Sequence, residues 1–268
     1  MPYARSGDAD IYYEQHGDVP GPPLLLIRGT GADGTRWMPQ VEAYRSEVTC
    51  VIFDGRGVGR STTTPPPYTV ESMAADALAV LDEVGVEAAH VSGSSLGGAI
   101  GLHLAAHEPD RVLSLQLHSS WLATRGFAEY SLGLLRKFLT VGGTDFYYEA
   151  TLPLLFSPIY MTENFDDLMN VLTHMQANAA SQDGLLGQIE ANLSHDLTAE
   201  AGRVRVPTLI TVGELDYVLP PMFSSELHEA IEGSELVVFP GGGHLVTLES
   251  APEFNRVTLD WLRPHLAA

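Results

Sequence analysis

The stretch Ala88-Ala89-His90-Val91-Ser92-Gly93-Ser94-Ser95-Leu96-Gly97-Gly98 decides how this chain is read. Its first five residues form a short run bounded by glycine, as in a buried strand. From Leu96 to about His107 the spacing is helical. Between them stands G-x-S-x-G in the context that gives the motif meaning: strand, sharp turn, helix. Such a turn holds its serine in a strained backbone conformation and needs small residues two positions to either side, here Gly93 and Gly97. The serine then meets the helix N-terminus, where free N–H groups and the helix dipole favour developing negative charge. Ser95 takes the nucleophile position and Ser94 the variable one. Against this reading, Gly/Ser clusters are ordinary turn material, so the motif needs partners.

A serine hydroxyl is a weak nucleophile until a base takes its proton, and the base needs a carboxylate to orient it. The strand Pro207 to Val212 runs into Gly213-Glu214-Leu215-Asp216. The strand Leu236 to Phe239 runs into Pro240-Gly241-Gly242-Gly243-His244. Both candidates lie beyond the carboxyl ends of strands, where open α/β sheets carry their chemistry. The order Ser95, Asp216, His244 is the one this motif requires. Glu214 is the rival acid. Of the other histidines, His90 falls in a strand and His103 and His107 on the helix after Ser95. His118 and His195 flank a helical region and could line a site without being its base.

Strand and helix alternate outward from this turn. Ile11 to Glu14 reads as an early antiparallel strand. Pro23 to Ile27, Cys50 to Phe53 and Val112 to Leu117 read as strands, the first fully apolar as in a sheet covered on both faces. Val70 to Val84 reads as a helix stopped by Gly85. Later helices are expected around Pro221 to Ile231 and Pro252 to Leu262. The alternation predicts right-handed crossovers and a mostly parallel sheet flanked by helices. Between about Ser120 and Ala199 it breaks, with helix starts near Thr144, Thr162 and Ser181. The economical division is one α/β core, residues 1–119 and 200–268, interrupted by a helical cap, residues 120–199.

With 268 residues, 45% hydrophobic, the chain can bury a sizeable core; its formal charge is −20. That field repels phosphate backbones and anionic membranes, so neither nucleic acid nor membrane is an expected partner. No stretch approaches the roughly 18 apolar residues of a membrane span, and the N-terminus has no apolar signal core. With Cys50 as the single cysteine no intrachain disulfide forms, and a cytoplasmic protein is expected. Cys50 sits in an apolar run and reads as a buried hydrophobe. No His/Cys/Asp cluster has metal-ligand spacing. The chemistry calls for no metal and no cofactor, the expected partner is a small-molecule substrate, and the protein is expected to be a monomer or homodimer.

Together these motifs resemble the α/β-hydrolase superfamily. Asp54-Gly55-Arg56-Gly57-Val58-Gly59-Arg60-Ser61 is similar to its D-x-R-G-x-G-x-S turn, a structural element. The runs from Gly213 to Pro220 and from Gly243 to Glu249 resemble the acid and base loops of oxoadipate enol-lactonases and aclacinomycin-type methylesterases. The resemblance implies an α/β-hydrolase fold with a helical cap after the sixth strand. It also implies an oxyanion hole from the backbone N–H groups of Thr30 and Leu96. One departure stands out: Arg28-Gly29-Thr30-Gly31 occupies the place where the family often has His-Gly. Arg28 could brace the loop or attract a substrate carboxylate. The cap is rich in aromatics, and Trp121, Tyr147 and Phe156 are candidates for the substrate pocket, the rest supplying the cap's own core. A serine hydrolase of small to medium hydrophobic esters or lactones is expected, working through an acyl-enzyme on Ser95. The same triad could instead cleave C–C bonds or form peracids as cofactor-free haloperoxidases do. A ligand-sensing receptor with little turnover is the reading from another class.

Overall fold

The computed structural model describes residues 2–177 and 179–266. Eight strands form one sheet: β1 (Tyr3–Ser6), β2 (Ala9–His16), β3 (Leu24–Ile27), β4 (Cys50–Phe53), β5 (Ala89–Ser94), β6 (Val112–His118), β7 (Thr208–Gly213) and β8 (Glu235–Phe239). Their order is β1-β2-β4-β3-β5-β6-β7-β8, antiparallel through β1, β2 and β4 and parallel from β4 to β8. The apolar runs of β3 and β4 follow from burial on both faces. Leu25, Ile27 and Val51 enter one core, with helices α2 (Val70–Val84) and α3 (Leu96–His107); Leu24, Leu26, Cys50 and Ile52 enter the other with Trp37 and Phe254. That split is the two-residue period of a strand made visible. The second core also receives α1 (Met38–Tyr44) and, near the C-terminus, α10 (Ala251–Leu262). Strand β1 gives no sequence signal because its four residues alternate only weakly, with Ala4 and Ser6 turned inward.

The chain steps from β3 outward to β4, then crosses back over β3 to place β5 on its other side. The carboxyl ends of β3 and β5 therefore border a topological switch point, the crevice where open α/β sheets bind ligands. Arg28 to Gly31 leaves β3 there, and Ser95 leaves β5 there.

Between β6 and β7 the described residues form helices and their connections, chiefly α4 (Phe127–Leu155), α5 (Pro158–Glu163), α6 (Phe165–Ala177) and α7 (Gln182–Ser194). The single bridge Ala123↔Asp196, with Leu197 N–H donating to Leu122 O (3.1 Å), stitches the entry and exit of this layer together. Two of the expected helix starts need correction. Helix α4 already begins at Phe127 and is broken at Gly143, which sits at φ 75°, so Thr144 opens only its second half. Thr162 lies inside α5, whose cap is Ser157, accepting from Tyr160 N–H, with Pro158 in the first turn. Ser-Pro was the readable start there. Ser181 caps α7 as expected.

The turn after β4 is a polar clamp. Asp54 accepts from Gly34 N–H (2.9 Å) and from Arg60 N–H (2.8 Å), while Arg56 is held by Asp76 through two 2.6 Å bonds. Among the described residues no helix is long and apolar enough to cross a membrane. After β7 comes α8 (Pro221–Ala230), and after β8 the short α9 (Val246–Glu249).

Candidate active site

Ser95 stands at φ 54°, ψ −120°, a backbone conformation that L side chains rarely adopt. The turn is forced by close approach on both sides. A Cβ on Gly93 would lie 2.1 Å from the carbonyl oxygen of Gly97, and one on Gly97 would lie 2.1 Å from that of Ile27. The Ser95 N–H donates to His118 O (2.8 Å), which locks the turn against β6. Leu96 opens α3 directly afterwards, and its backbone N–H belongs to the helix's unpaired first turn.

Asp216 and His244 come from the ends of β7 and β8. The Asp216 carboxylate is buried and accepts from Val218 N–H (2.9 Å) and Leu219 N–H (2.8 Å) through Oδ1. Its Oδ2 faces His244 Nδ1 at 2.8 Å. The ring is thereby oriented by a carboxylate whose other oxygen is fixed by the backbone. Glu214, the rival acid, instead accepts from Gly241 N–H (2.9 Å). His244 and Ser95 line the same cavity.

The loop Gly29-Thr30-Gly31 lines that cavity beside Ser95, a Cβ on Gly29 falling 2.9 Å from Ser95 Cβ, and α7 fixes it. Asn192 donates to Thr30 Oγ1 (2.8 Å), Gln188 accepts from Gly31 N–H (2.7 Å), and Gln188 also donates to Arg56 O (3.0 Å). Neither Gln188 nor Asn192 could be singled out from sequence, since both are amides on an amphipathic helix. Glu249, a carboxylate at the end of the short helix after His244, carries no local signal of its role either. It accepts from Gly243 N–H (3.1 Å), Ser157 N–H (2.7 Å) and Ser157 Oγ–H (2.7 Å), tying the loop before His244 to the start of α5.

The two histidines that flank the helical region are committed elsewhere. His118 bridges Ser92 and Thr211, and burial together with the charge of Arg28 lowers its pKa to about 3. His195 contacts Trp121 O (3.1 Å), and burial lowers it to about 4. Neither lines the cavity. Burial pushes the Cys50 thiol up to about 12, so it carries no thiolate near neutral pH.

The cavity measures about 110 Å³, below the roughly 150 Å³ that holds a benzene, so it suits a short acyl group. Tyr147 and Phe156 line it, with Tyr148. Trp121 does not: it is fully buried beside His195, its indole N–H donating to Thr124 Oγ1 (2.7 Å). Leucines such as Leu132, Leu135 and Leu152 supply much of the remaining wall, whereas Phe127, Tyr130, Phe146 and Phe165 are exposed. Tyr147, Tyr148 and Phe156 therefore line the site as a minority of the cap aromatics, and the exposed ones do not supply the core expected of them. Arg28, the departure from the family pattern, lines the cavity with its guanidinium carbon 4.6 Å above the Trp37 ring.

Comparison with known proteins gives a consistent picture. The sequence profile described as the alpha/beta hydrolase fold matches residues 22–251. A relative from Azorhizobium caulinodans named "Putative carbamate hydrolase RutD" is 34% identical over 259 residues, covering 97% of each chain. The enol-lactonase from Burkholderia xenovorans LB400 is similar in structure (TM-score 0.88, 29% identity), covering 97% of this chain and 99% of its own. A hydrolase from Pseudomonas aeruginosa PA01 matches equally well, with TM-score 0.88, 29% identity and 97% of each chain covered.

Proposed function

We propose that this chain, which belongs to the α/β-hydrolase fold family, hydrolyses a small carboxylic ester or lactone through an acyl-enzyme on Ser95. That it is a hydrolase of this fold rests on relatives and structural neighbours named for hydrolytic activities. The observation that carries the finer reading is the buried 2.8 Å contact between His244 and Asp216, in the same cavity as a serine at positive φ.

In this reading His244 Nε2 takes the Ser95 proton as Oγ adds to the substrate carbonyl. Asp216 holds the tautomer with hydrogen on Nδ1 and stabilises the imidazolium that forms. The carbonyl oxygen, now an oxyanion, accepts from the backbone N–H groups of Leu96 and Thr30, and removing one such donor costs about 3–4 kcal/mol of barrier. The imidazolium returns its proton to the leaving alcohol as the C–O bond breaks. Water, deprotonated by His244, then releases the acid and restores Ser95. The helices α4 to α7 act as a cap over the pocket, with the core formed by residues 1–119 and 200–268. The chain is read as a cytoplasmic monomer or homodimer.

The relatives named for carbamate hydrolysis favour a second reading, in which the same serine attacks a carbamate carbonyl and an amine leaves. A substrate panel separates the two. Turnover of p-nitrophenyl acetate and butyrate, falling steeply with much longer acyl chains, is expected from a cavity of this size. Activity confined to carbamates would favour the second reading. Activity only on a vinylogous ketone, a C–C substrate, would contradict both.

A further inference from the structure

The charge distribution around the cavity runs against that of the protein. The chain carries 34 acidic against 14 basic side chains, and its arginines are mostly spent on carboxylates. Arg56 is paired with Asp76, Arg60 with Asp54 and Glu14, and Arg263 with Glu47. Two arginines on the cavity wall, Arg28 and Arg36, form no ion pair among the described residues. Asp33, the acid whose charge acts on Arg28, is engaged with Thr35 N–H (2.9 Å).

Arg28 is the sharper case. It is 8% exposed, its Nε has no partner, and its only side-chain bond among the described residues is a long 3.4 Å contact to Thr247 Oγ1. A buried cation with no carboxylate in contact is costly, and the face of Trp37 and the more distant charge of Asp33 offset only part of that. Burial and the neighbouring charge of Arg36 lower its pKa to about 9, so it stays a cation at neutral pH. Loop bracing does not require it, because Gln188 and Asn192 already hold Thr30 and Gly31. A carboxylate in direct contact is what a ligand could bring.

We infer that Arg28 and Arg36 form an anion-accepting subsite beside Ser95, and that the substrate is a short ester or lactone bearing a carboxylate. The inference rests on the serine-hydrolase reading above and narrows it. The apolar wall from Leu132 and Leu135 covers the hydrocarbon part while the guanidinium groups receive the charge, Arg28 from beside the oxyanion loop and half-buried Arg36 from the wall. A carboxylate accepting from a guanidinium forms the stronger, charge-assisted type of hydrogen bond. The rest of the acidic surface repels anions, so specificity for one must come from the pocket.

The test compares charged and neutral esters of matched length. One pair carries the charge in the acyl part, p-nitrophenyl hydrogen glutarate against p-nitrophenyl pentanoate. The other carries it in the alcohol, 4-carboxyphenyl acetate against phenyl acetate. The wild-type protein is expected to prefer the charged member of at least one pair by about tenfold in kcat/KM. Arg28→Met and Arg36→Gln should each erase most of that ratio, and Arg28→Lys should keep part of it. Competitive inhibition of the wild type by glutarate, but not by pentanamide, reads the same site without any variant. A preference for the neutral member of both pairs, unchanged in Arg36→Gln, overturns the subsite. If p-nitrophenyl pentanoate is still turned over with Ser95 as the labelled residue, the serine reading survives that result. Ester turnover that persists in Ser95→Ala would instead remove the reading on which the subsite rests.

Discussion

Asp216→Asn should lower kcat by about 10³–10⁴-fold while leaving the fold intact. The size of the effect follows from how the carboxylate is held. Its Oδ1 accepts from two backbone N–H groups, of Val218 and Leu219, and an amide NH2 cannot take that place. The asparagine oxygen must therefore occupy the Oδ1 position, which turns the NH2 toward His244 Nδ1. A ring nitrogen facing a donor becomes an acceptor, so the proton moves to Nε2 and the histidine can no longer take one from Ser95. The loss should appear in kcat with little change in KM or thermal stability, measured by ester turnover and thermal melting. Near wild-type turnover in a folded Asp216→Asn protein would mean that another acid orients the base.

Gly97→Ala should cost about 3 kcal/mol or more in stability. The new Cβ would lie 2.1 Å from the carbonyl oxygen of Ile27 and 2.8 Å from that of Arg28, both backbone atoms at the end of a buried central strand. Neither can rotate away as a flexible side chain could. Relief requires β3 and the nucleophile turn to separate, and that movement carries Thr30 away from Ser95. For a chain of this length the melting temperature should fall by roughly 10 °C, with turnover lost alongside it. A Gly97→Ala protein matching the wild type in both measurements would show that the turn is looser than its contacts imply.

The parts of the fold legible in sequence were those with a local apolar signal. Helix α2 carries an apolar stripe between its Thr69 cap and Gly85, while α3 and β4 are apolar runs bounded by turns, and their limits follow from those signals. Ser95 was legible because G-x-S-x-G has geometric meaning between a strand and a helix. Asp216 and His244 could be found because each follows a strand end. Helix α4 was harder: Gly143 interrupts it, and its first half mixes buried Leu132 and Leu135 with exposed Tyr130, which blurs the stripe. Thr162 looked like a cap because its hydroxyl suits one; in the fold it donates to Pro158 O inside α5. Gln188, Asn192 and Glu249 act across 92 to 162 positions of chain. No local pattern encodes such contacts. Trp121 was a reasonable pocket candidate by composition, yet its indole found a partner in Thr124 and a place in the core.

The central claim is that Ser95 is the nucleophile, and covalent capture tests it most directly. A fluorophosphonate probe phosphonylates a serine only where a base and an oxyanion hole activate it. Incubation of the wild-type protein, followed by proteolysis and mass mapping of the modified peptide, should return one adduct per chain, on Ser95. An adduct on another residue, or no adduct on a protein that turns over esters, would contradict the account.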